Sequence, residues 1–370
     1  MEGDFFHAIP TVFDLLALVI CLGTLSCHLW VLPTMATLSE SIGFDDLLRS
    51  LWRLLGACIA ALVVTSVGEL VAHAVEMSGR PLLAVLPALP VVLRQTHYGR
   101  LWLVRPLGLM ALWVGWWAGR KRVHSRVIPA LMLGVGAIVA MTRSASGHAS
   151  DWGDLTLPEA SDWLHLLAAS LWAGGLPGLS LVVLPRAIKL PEPRWPLIAA
   201  IARRFSALAG AALAGVLVTG IYNAWLQVGS IGALWETPYG RTLLVKLLFV
   251  CLLLALGASN RYISVLLLQR RAGLPITKRR LLHTLLVIRY LVTGRRKPQE
   301  TRLVRQFTWK VRIEAICMIG VLVCTAILLH GVPARHAMHT GHMSTDTGAT
   351  SGPSGESMPT RHEHGGVPSD

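Results

Sequence analysis

Residues 11–32 read TVFDLLALVICLGTLSCHLWVL, a run of 22 residues in which Asp14 and His28 are the sole acidic, basic or imidazole side chains. About 20 apolar residues in a helix cross the hydrocarbon core of a bilayer. The whole 370-residue chain shares this character, because 53% of it is hydrophobic, only 15% is charged and the mean hydropathy is +0.56. Soluble domains carry about 25% charged residues. The sequence therefore predicts an integral membrane protein and excludes a soluble enzyme, a fibrous protein and a disordered chain.

Apolar runs of similar length recur along the chain and predict an all-α, polytopic membrane helical bundle. Prolines at 33, 185 and 333 close three of these runs, as expected where a helix ends. We expect eight membrane helices, at about 11–34, 51–73, 100–118, 126–142, 160–184, 205–228, 239–260 and 312–331.

The distribution of Lys and Arg predicts the orientation of the bundle. The connections 35–53, 119–126, 185–204 and 261–312 hold 25 of the 34 basic residues. Because basic loops stay in the cytoplasm, both termini are expected to be periplasmic. The formal charge of +14 then reflects topology and attraction to lipid headgroups, not nucleic acid. Residues 281–292 are apolar but too short to span, so an interfacial helix is expected; if they did span, the C-terminal tail would be cytoplasmic.

Three regions follow from this pattern. Residues 1–143 form an N-terminal half of four membrane helices, and residues 144–332 form a second half that includes the basic cytoplasmic loop 261–311. Residues 333–370 form a periplasmic tail rich in polar residues, histidine and methionine, which is expected to be disordered. The six cysteines all lie in apolar segments without a Cys-x-x-Cys pair, so we expect them to pack as small apolar residues.

Histidine and methionine in the tail favour metal capture. Imidazole and thioether together suit copper, with imidazole serving Cu(I) and Cu(II) and thioether favouring Cu(I). The alternative is a solvated polar tail that happens to contain histidine. The candidate ligands are His336, Met338, His339, His342 and Met343.

Ionisable residues inside predicted spans suggest function, because they are costly in a bilayer. Glu69 and His73 share one face of the second helix, and Asp162 and His165 share one face of the fifth. Each carboxylate–imidazole pair can supply two metal ligands, or one ligand and the acceptor that fixes its tautomer. The alternative is a polar girdle whose side chains reach interfacial water.

Three further residues complete the candidate set. His148, in a loop before the fifth helix, can meet His165 at the periplasmic mouth of the bundle and form a metal site. Asn223, on the sixth helix, is either part of a transport path or a helix–helix hydrogen-bond partner. Lys246, on the seventh, is expected either to neutralise Glu69 or to extend to the interface.

Several motifs resemble one family. The stretches RFSALA at 204–209, GIYNAWLQVG at 220–229 and TPYGRTLLVK at 237–246 resemble the copper resistance D family (CopD, PcoD) of bacterial inner membranes. The earlier SGHA at 146–149 and HLLAASLWAGG at 165–175 are similar to the pattern that precedes that domain. The strong match covers about residues 145–260, and the arrangement of spans extends it to most of the chain.

The resemblance implies a copper-handling protein that moves copper from the periplasm to the cytoplasm, beside a periplasmic CopC-type partner. It makes His148 and His165 candidate copper ligands. In the transport hypothesis built on it, Glu69 and His73 join them at the entry site, and Asp162, Asn223 and Lys246 lie on the path. The tail, which matches no pattern of the family, would act as a local copper collector. The resemblance leaves both oxidation states of copper, Cu(I) and Cu(II), open.

Two other functions stay open from the residues alone. The first is a membrane redox protein with bis-histidine haem, held by His73 and His165 or by His165 and His330. The second is a sensor or delivery factor that binds copper without transporting it. No nucleophile elbow, phosphate-binding loop or metalloprotease motif occurs in the sequence, so an enzyme is not expected.

Overall fold

A computed structural model describes residues 2–32, 43–79, 84–85, 87, 89–147, 153, 155–190, 194–275 and 300–335. Every regular element in those ranges is helical. In chain order the helices are α1 (Glu2–Ser26), α2 (Phe44–Ser78), α3 (Leu89–Gln95), α4 (His97–Gly119), α5 (Val127–Ser144), α6 (Leu157–Trp172), α7 (Gly175–Pro177), α8 (Leu184–Ala187), α9 (Trp195–Val228), α10 (Ala233–Glu236), α11 (Pro238–Ser259), α12 (Val265–Arg271) and α13 (Glu300–His330).

Within the described ranges, eight segments are long and apolar enough to cross a membrane, so the prediction of an all-α polytopic bundle is confirmed. Several run beyond their predicted ends. The second span begins seven residues early because Asp45 and Asp46 in the first turn of α2 favour the positive end of the helix dipole. The spans are Ile9–Val31, Phe44–Val75, Leu101–Gly119, Val127–Ser144, Leu157–Ala187, Trp195–Val228, Pro238–Arg271 and Arg305–His330.

Three spans contain a π-helical turn. These turns lie at Cys27–Val31, Gly178–Val183 and Asn260–Ser264. A π-turn adds a residue to the helical repeat and so changes which side chains face a neighbour, and such turns are frequent at functional sites. The third turn brings the side chains of Asn260 and Ser264 within hydrogen-bond distance, with Oδ1 and Oγ separated by 3.1 Å.

The first span lies at the centre of the bundle. It is the most buried of the eight, and it packs against α2, α5, α6 and α13. The sixth and seventh spans, by contrast, bury little of their surface and present side chains such as Trp225 and Leu248 to the surroundings. The N-terminal half therefore supplies the central helix around which part of the second half packs.

Glycine allows the first and fifth spans to cross at backbone contact. A Cβ atom added to Gly23 would overlap the backbone of Gly174, and one added to Gly174 would overlap the carbonyl of Val19. Small residues are the usual means by which membrane helices approach so closely. This crossing joins the two halves of the chain.

Candidate functional site

A buried network of charges joins the first, second and third spans. The carboxylate of Asp14 is fully buried and accepts a hydrogen bond from Arg105 Nη2 at 2.5 Å. Thr65 Oγ1 donates to the other oxygen of Asp14 at 2.9 Å, and Arg105 Nε donates to Ser66 Oγ at 2.9 Å. A charge in the bilayer is costly unless it is paired, and these contacts supply both charge and hydrogen-bond partners.

Glu69 extends this network to the fourth span. Its Oε1 accepts a hydrogen bond from Arg143 Nη1 at 2.5 Å, and its Oε2 lies 4.0 Å from Arg105 Nη1. The expectation that Lys246 neutralises Glu69 is therefore wrong, since two arginines of the N-terminal half do so. With Asp14, the two carboxylates and two guanidinium groups carry no net charge.

A pocket of about 80 Å³ opens beside this network, at the end of the bundle that the charge distribution predicts to be periplasmic. Two imidazoles line it, His73 of α2 and His330 of α13, and His330 is held by a 3.0 Å hydrogen bond between its Nε2 and Thr11 Oγ1. We call it the His73–His330 pocket. The residues that line it include Thr11, Glu69, His73, Arg143, Gly147 and His330.

The pocket adjoins two predicted ligand regions that lie outside the described residues. Gly147, in its wall, directly precedes His148, and His330 lies six residues before His336, the first histidine of the tail. Met338, His339, His342 and Met343 of the tail also lie outside the described residues. The structure therefore describes the places where the loop and the tail join the bundle, but not the predicted ligands themselves. The volume of the pocket is well below the 300 Å³ or more typical of cofactor pockets.

Hydrogen bonds between α6 and α9 involve two of the predicted site residues. Ser161 Oγ donates to Asn223 Oδ1 at 2.8 Å, and His165 Nδ1 lies 3.0 Å from Thr219 Oγ1. Asn223 thus makes the interhelical hydrogen bond that was one of its two expected roles. His165 is directed between the fifth and sixth spans, and it is not part of the His73–His330 pocket.

Three predicted site residues on α6 and α11 interact with one another: Asp162, His165 and Lys246. Lys246 interacts electrostatically with both Asp162 and His165. We call these three residues the Asp162–His165–Lys246 group. Imidazole and carboxylate are metal ligands, whereas the ammonium group of Lys246 opposes the approach of a cation to them.

Sequence reasoning missed the two arginines and a second buried polar cluster. Arg105 lies inside a predicted span, and an intramembrane arginine is itself a signal that a buried acid is near. The second cluster lies between the third π-turn and α13, where Asn260 Nδ2 donates to Glu314 Oε1 at 2.6 Å. Among the residues that the structure describes, no three His, Cys, Asp or Glu side chains converge to hold a metal ion.

Comparison with known proteins identifies the family. The profile described as "Copper resistance protein D" matches residues 199–328, and "Copper resistance protein D-like, N-terminal domain" matches residues 7–156. The chain belongs to the copper resistance D family. The two matches together include most of the membrane helices, and the resemblance drawn from the motifs is confirmed. With its eight apolar helices, this copper resistance D protein is a multi-pass protein of the inner membrane.

Two curated relatives are similar to parts of the chain. "Copper transport protein CutJ" of Bacillus subtilis is 32% identical over 139 residues, which is 37% of this chain and 24% of that protein. "Inner membrane protein YebZ" of Escherichia coli is 31% identical over 175 residues, which is 46% of this chain and 56% of that protein. The matches thus span about a quarter and about half of those relatives. No solved structure matches the chain significantly.

Proposed function

We propose that this protein transports copper ions across the inner membrane, importing them from the periplasm to the cytoplasm, and that it is a transporter and not an enzyme. Both termini are periplasmic in this proposal, as the basic connections indicate. The family match and the relative named as a copper transport protein support copper as the cargo. The cargo is copper as Cu(I) or Cu(II).

The observation that carries the proposal is the His73–His330 pocket. Two imidazoles line one small pocket, although they belong to the second and eighth spans. Imidazole is a ligand for both oxidation states of copper. Glu69 in the same wall is held by Arg143, so its role is to fix that wall and balance charge rather than to bind the metal directly.

The tail supplies copper to this pocket. Six residues separate His330 from His336, a length that spans at most about 20 Å. Ligands tethered so close to a site raise the local concentration of what they bind. The copper collector therefore consists of the imidazoles of His336, His339 and His342 and the thioethers of Met338 and Met343. A periplasmic CopC-type protein is the proposed donor, and the lipid bilayer is the other partner.

Copper then passes toward the second half of the chain. His148 follows the pocket wall at Gly147, and it can carry the ion to His165 in the Asp162–His165–Lys246 group. In that group a cation meets one imidazole and one carboxylate, and Lys246 is repelled as it arrives. If Lys246 moves away when copper binds, the group with copper bound has nearly the same net charge as the group without it.

Copper uptake by proteoliposomes tests the proposal. The full chain is reconstituted, and external copper is supplied near the half-saturating concentration. Uptake should fall at least tenfold in the variant His73→Ala with His330→Ala. The matched control is His124→Ala, because His124 pairs with Asp45 at 2.9 Å at the opposite end of the bundle. Unchanged uptake in the double variant removes the pocket from the path, and absence of uptake by the wild type removes the transport function.

Direction is tested in cells. Expression of the wild-type chain should raise total cell copper at a fixed external concentration, whereas an exporter would lower it. The double histidine variant, expressed to the same level, serves as the reference for copper bound to the cell surface. A fall in cell copper with the wild type contradicts import.

A further inference from the structure

Glu314 lacks the cationic partner that Asp14 and Glu69 have. Each of those two carboxylates is bound by an arginine at 2.5 Å. Glu314 is equally buried, with 4% of its surface exposed, but its Oε1 accepts a hydrogen bond from the neutral amide of Asn260, at 2.6 Å from Nδ2. In the part of the chain that the structure describes, no ion pair involves Glu314. Its carboxyl group thus receives a hydrogen bond without a compensating charge.

Glu314 also lies deep in the eighth span. That span begins at Arg305, so nine residues of helix, about 14 Å, separate Glu314 from its start. The hydrocarbon core is about 30 Å thick, which places the carboxyl group near the middle of the bilayer. An ionised carboxylate is costly there unless a cation pairs with it. The form of Glu314 that suits these surroundings is therefore the neutral acid.

A chain of hydrogen bonds leads from Glu314 toward the start of α13. Beyond Asn260, Ser264 Oγ donates to Asn260 Oδ1 at 3.1 Å. Lys310 Nζ lies 3.5 Å from Ser264 Oγ and donates to Ser259 Oγ at 2.7 Å. Asn260 and Ser264 are buried, whereas Lys310 and Ser259 are half-buried. The chain therefore connects the buried acid with partly exposed groups at the end of the bundle that is predicted to be cytoplasmic.

Lys310 is placed to balance the charge when Glu314 ionises. The two residues are four apart on α13, so their side chains lie one turn apart on the same face. Lysine has a long flexible stem, and its ammonium group can turn from the longer contact, to Ser264, toward the carboxylate. The cluster thus has two arrangements. In one, the acid is bound by Asn260 and Lys310 contacts the serines; in the other, a carboxylate is paired with Lys310.

The elements around α13 offer Glu314 no other cation at this depth. The elements that pack against it are α1, α7, α11 and the π-turns at Gly178–Val183 and Asn260–Ser264, and α7 and the Gly178–Val183 turn contain no ionisable side chain. Arg261 is directed to α9, where its Nη1 donates to the carbonyl of Ser206 at 2.6 Å, and Arg312 of α13 is exposed. The other ionisable side chains at a similar depth are uncharged near neutral pH: Cys21, Cys251, Tyr262 and Cys317.

We propose that Glu314 is a proton-binding site whose ionisation switches the contact between α13 and the π-turn Asn260–Ser264. The inference rests on the proposed transport function, because the switch controls copper uptake. When the proton leaves, the O–H bond breaks, the electron pair stays on the carboxylate oxygen, and the proton passes to water at the predicted cytoplasmic end. The ammonium group of Lys310 then pairs with the carboxylate. Return of a proton from the same side restores the first arrangement.

The switch and the His73–His330 pocket share one helix. His330 is the last residue of α13, held there by Thr11, and sixteen residues, about 24 Å of helix, separate it from Glu314. A helix with two arrangements at one end is an element whose equilibrium both sites can bias. Copper binding and proton binding then influence each other reciprocally. Uptake requires release of the proton in each cycle, so acid on the cytoplasmic side slows it.

Infrared spectroscopy of the purified full chain tests the proton site itself. At about pH 6 exposed carboxylates are ionised, whereas Glu314 should give the carbonyl stretch of a protonated carboxylic acid. This band should be absent from Glu314→Gln and present in Glu236→Gln, because Glu236 is exposed on α10. Asn260→Ala removes the hydrogen bond to the acid and should shift the band, which assigns it independently of Glu314→Gln. A wild type without the band, or a band that neither Glu314→Gln nor Asn260→Ala changes, overturns the proposal.

Copper uptake by proteoliposomes tests the link to transport. The external pH is held constant, so that the pocket and the tail are unaffected, and the internal pH is raised from about 6 to about 8. Wild-type uptake should rise at least threefold, whereas Glu314→Gln, which resembles the acid form, should be slow at both pH values. His124 is present in both chains, so the difference between them reports Glu314. An equal rise in the two chains overturns the switch. A wild type that takes up no copper removes the transport function, while the infrared band still decides whether Glu314 binds a proton.

Discussion

Arg143 Nη1 lies 2.5 Å from Glu69 Oε1, so that a guanidinium at the end of the fourth span is bound to a carboxylate inside the second. Both side chains are largely buried, with 13% and 7% of their surface exposed. The pair forms part of the wall of the His73–His330 pocket and continues through Arg105 to Asp14. The pocket is thus attached to an electrically neutral network in the N-terminal half.

Removing one partner of this network should destabilise the protein strongly. Arg143→Ala leaves Glu69 buried with Arg105 only at 4.0 Å, and such uncompensated buried charges cost about 3–5 kcal/mol. Thermal unfolding in detergent would measure this as a large fall in Tm. The matched control is Arg49→Ala, which breaks an exposed pair with Asp45 at 3.9 Å and should cost less than about 1 kcal/mol. Equal effects of the two substitutions would show that the buried pair contributes nothing special.

The Ser161–Asn223 hydrogen bond should contribute modestly to the packing of α6 on α9. Interhelical hydrogen bonds in membrane proteins are worth about 0.6 kcal/mol on average and up to about 2 kcal/mol. Asn223→Ala and Ser161→Ala should each lower stability by an amount in this range, and the double variant should lose less than the sum. A double-mutant cycle on unfolding free energies measures the coupling. Additive losses would mean that the two side chains do not interact.

The glycine crossing should tolerate no side chain. Gly174→Ala places a methyl group into the backbone of the first span near Val19, and no flexible side chain is available to move. We expect loss of the folded, monodisperse protein in size-exclusion chromatography. Gly134→Ala is the control, because its added methyl meets no atom within 4 Å and alanine favours a helix by about 1 kcal/mol over glycine. A stable Gly174→Ala variant would contradict the close crossing.

Deletion of residues 336–370 should change the concentration dependence of copper uptake but not its maximum rate. The tail acts only by raising the copper concentration near the pocket, an effect that saturating copper makes unnecessary. Uptake rates over a range of external copper concentrations give both quantities. The intact chain with His336, His339 and His342 replaced by Ala is the matched variant of equal length. A lower maximum rate in the deletion would place the tail in the translocation step instead.

The spans could be predicted because each is encoded locally. A run of apolar residues identifies a span without knowledge of its neighbours, and proline or charge marks its end. The ends of helices were less predictable, as in the sixth span, which was expected at 205 and begins at Trp195. The sequence pattern predicts a loop at Arg204, but the residue lies within α9, and its Nη1 donates to the carbonyl of Leu32 at 3.2 Å.

The pairing of charges could not be predicted because it depends on packing. Asp14 and Arg105 are 91 residues apart and belong to different spans, and no local pattern connects them. The same is true of His73 and His330, whose common pocket exists only once the second and eighth spans are placed. The association of Asp162 with His165 could be predicted from the sequence, since both lie within one turn of one helix. The association of Lys246 with these two residues could not, because it depends on how the helices pack.

The Asp14–Arg105 contact also has a consequence for biogenesis. A ribosome adds about 5–20 residues per second, so the 91 residues between these partners take about 5–18 seconds to synthesise. During that interval the first span carries a carboxylate whose guanidinium does not yet exist. An acidic residue disfavours insertion by about 2.5–3.5 kcal/mol at the centre of a helix and by less at the position of Asp14, five residues from the start of the span. Completion of the third span would then secure the first in the lipid, which makes membrane insertion of this central helix a delayed and cooperative event.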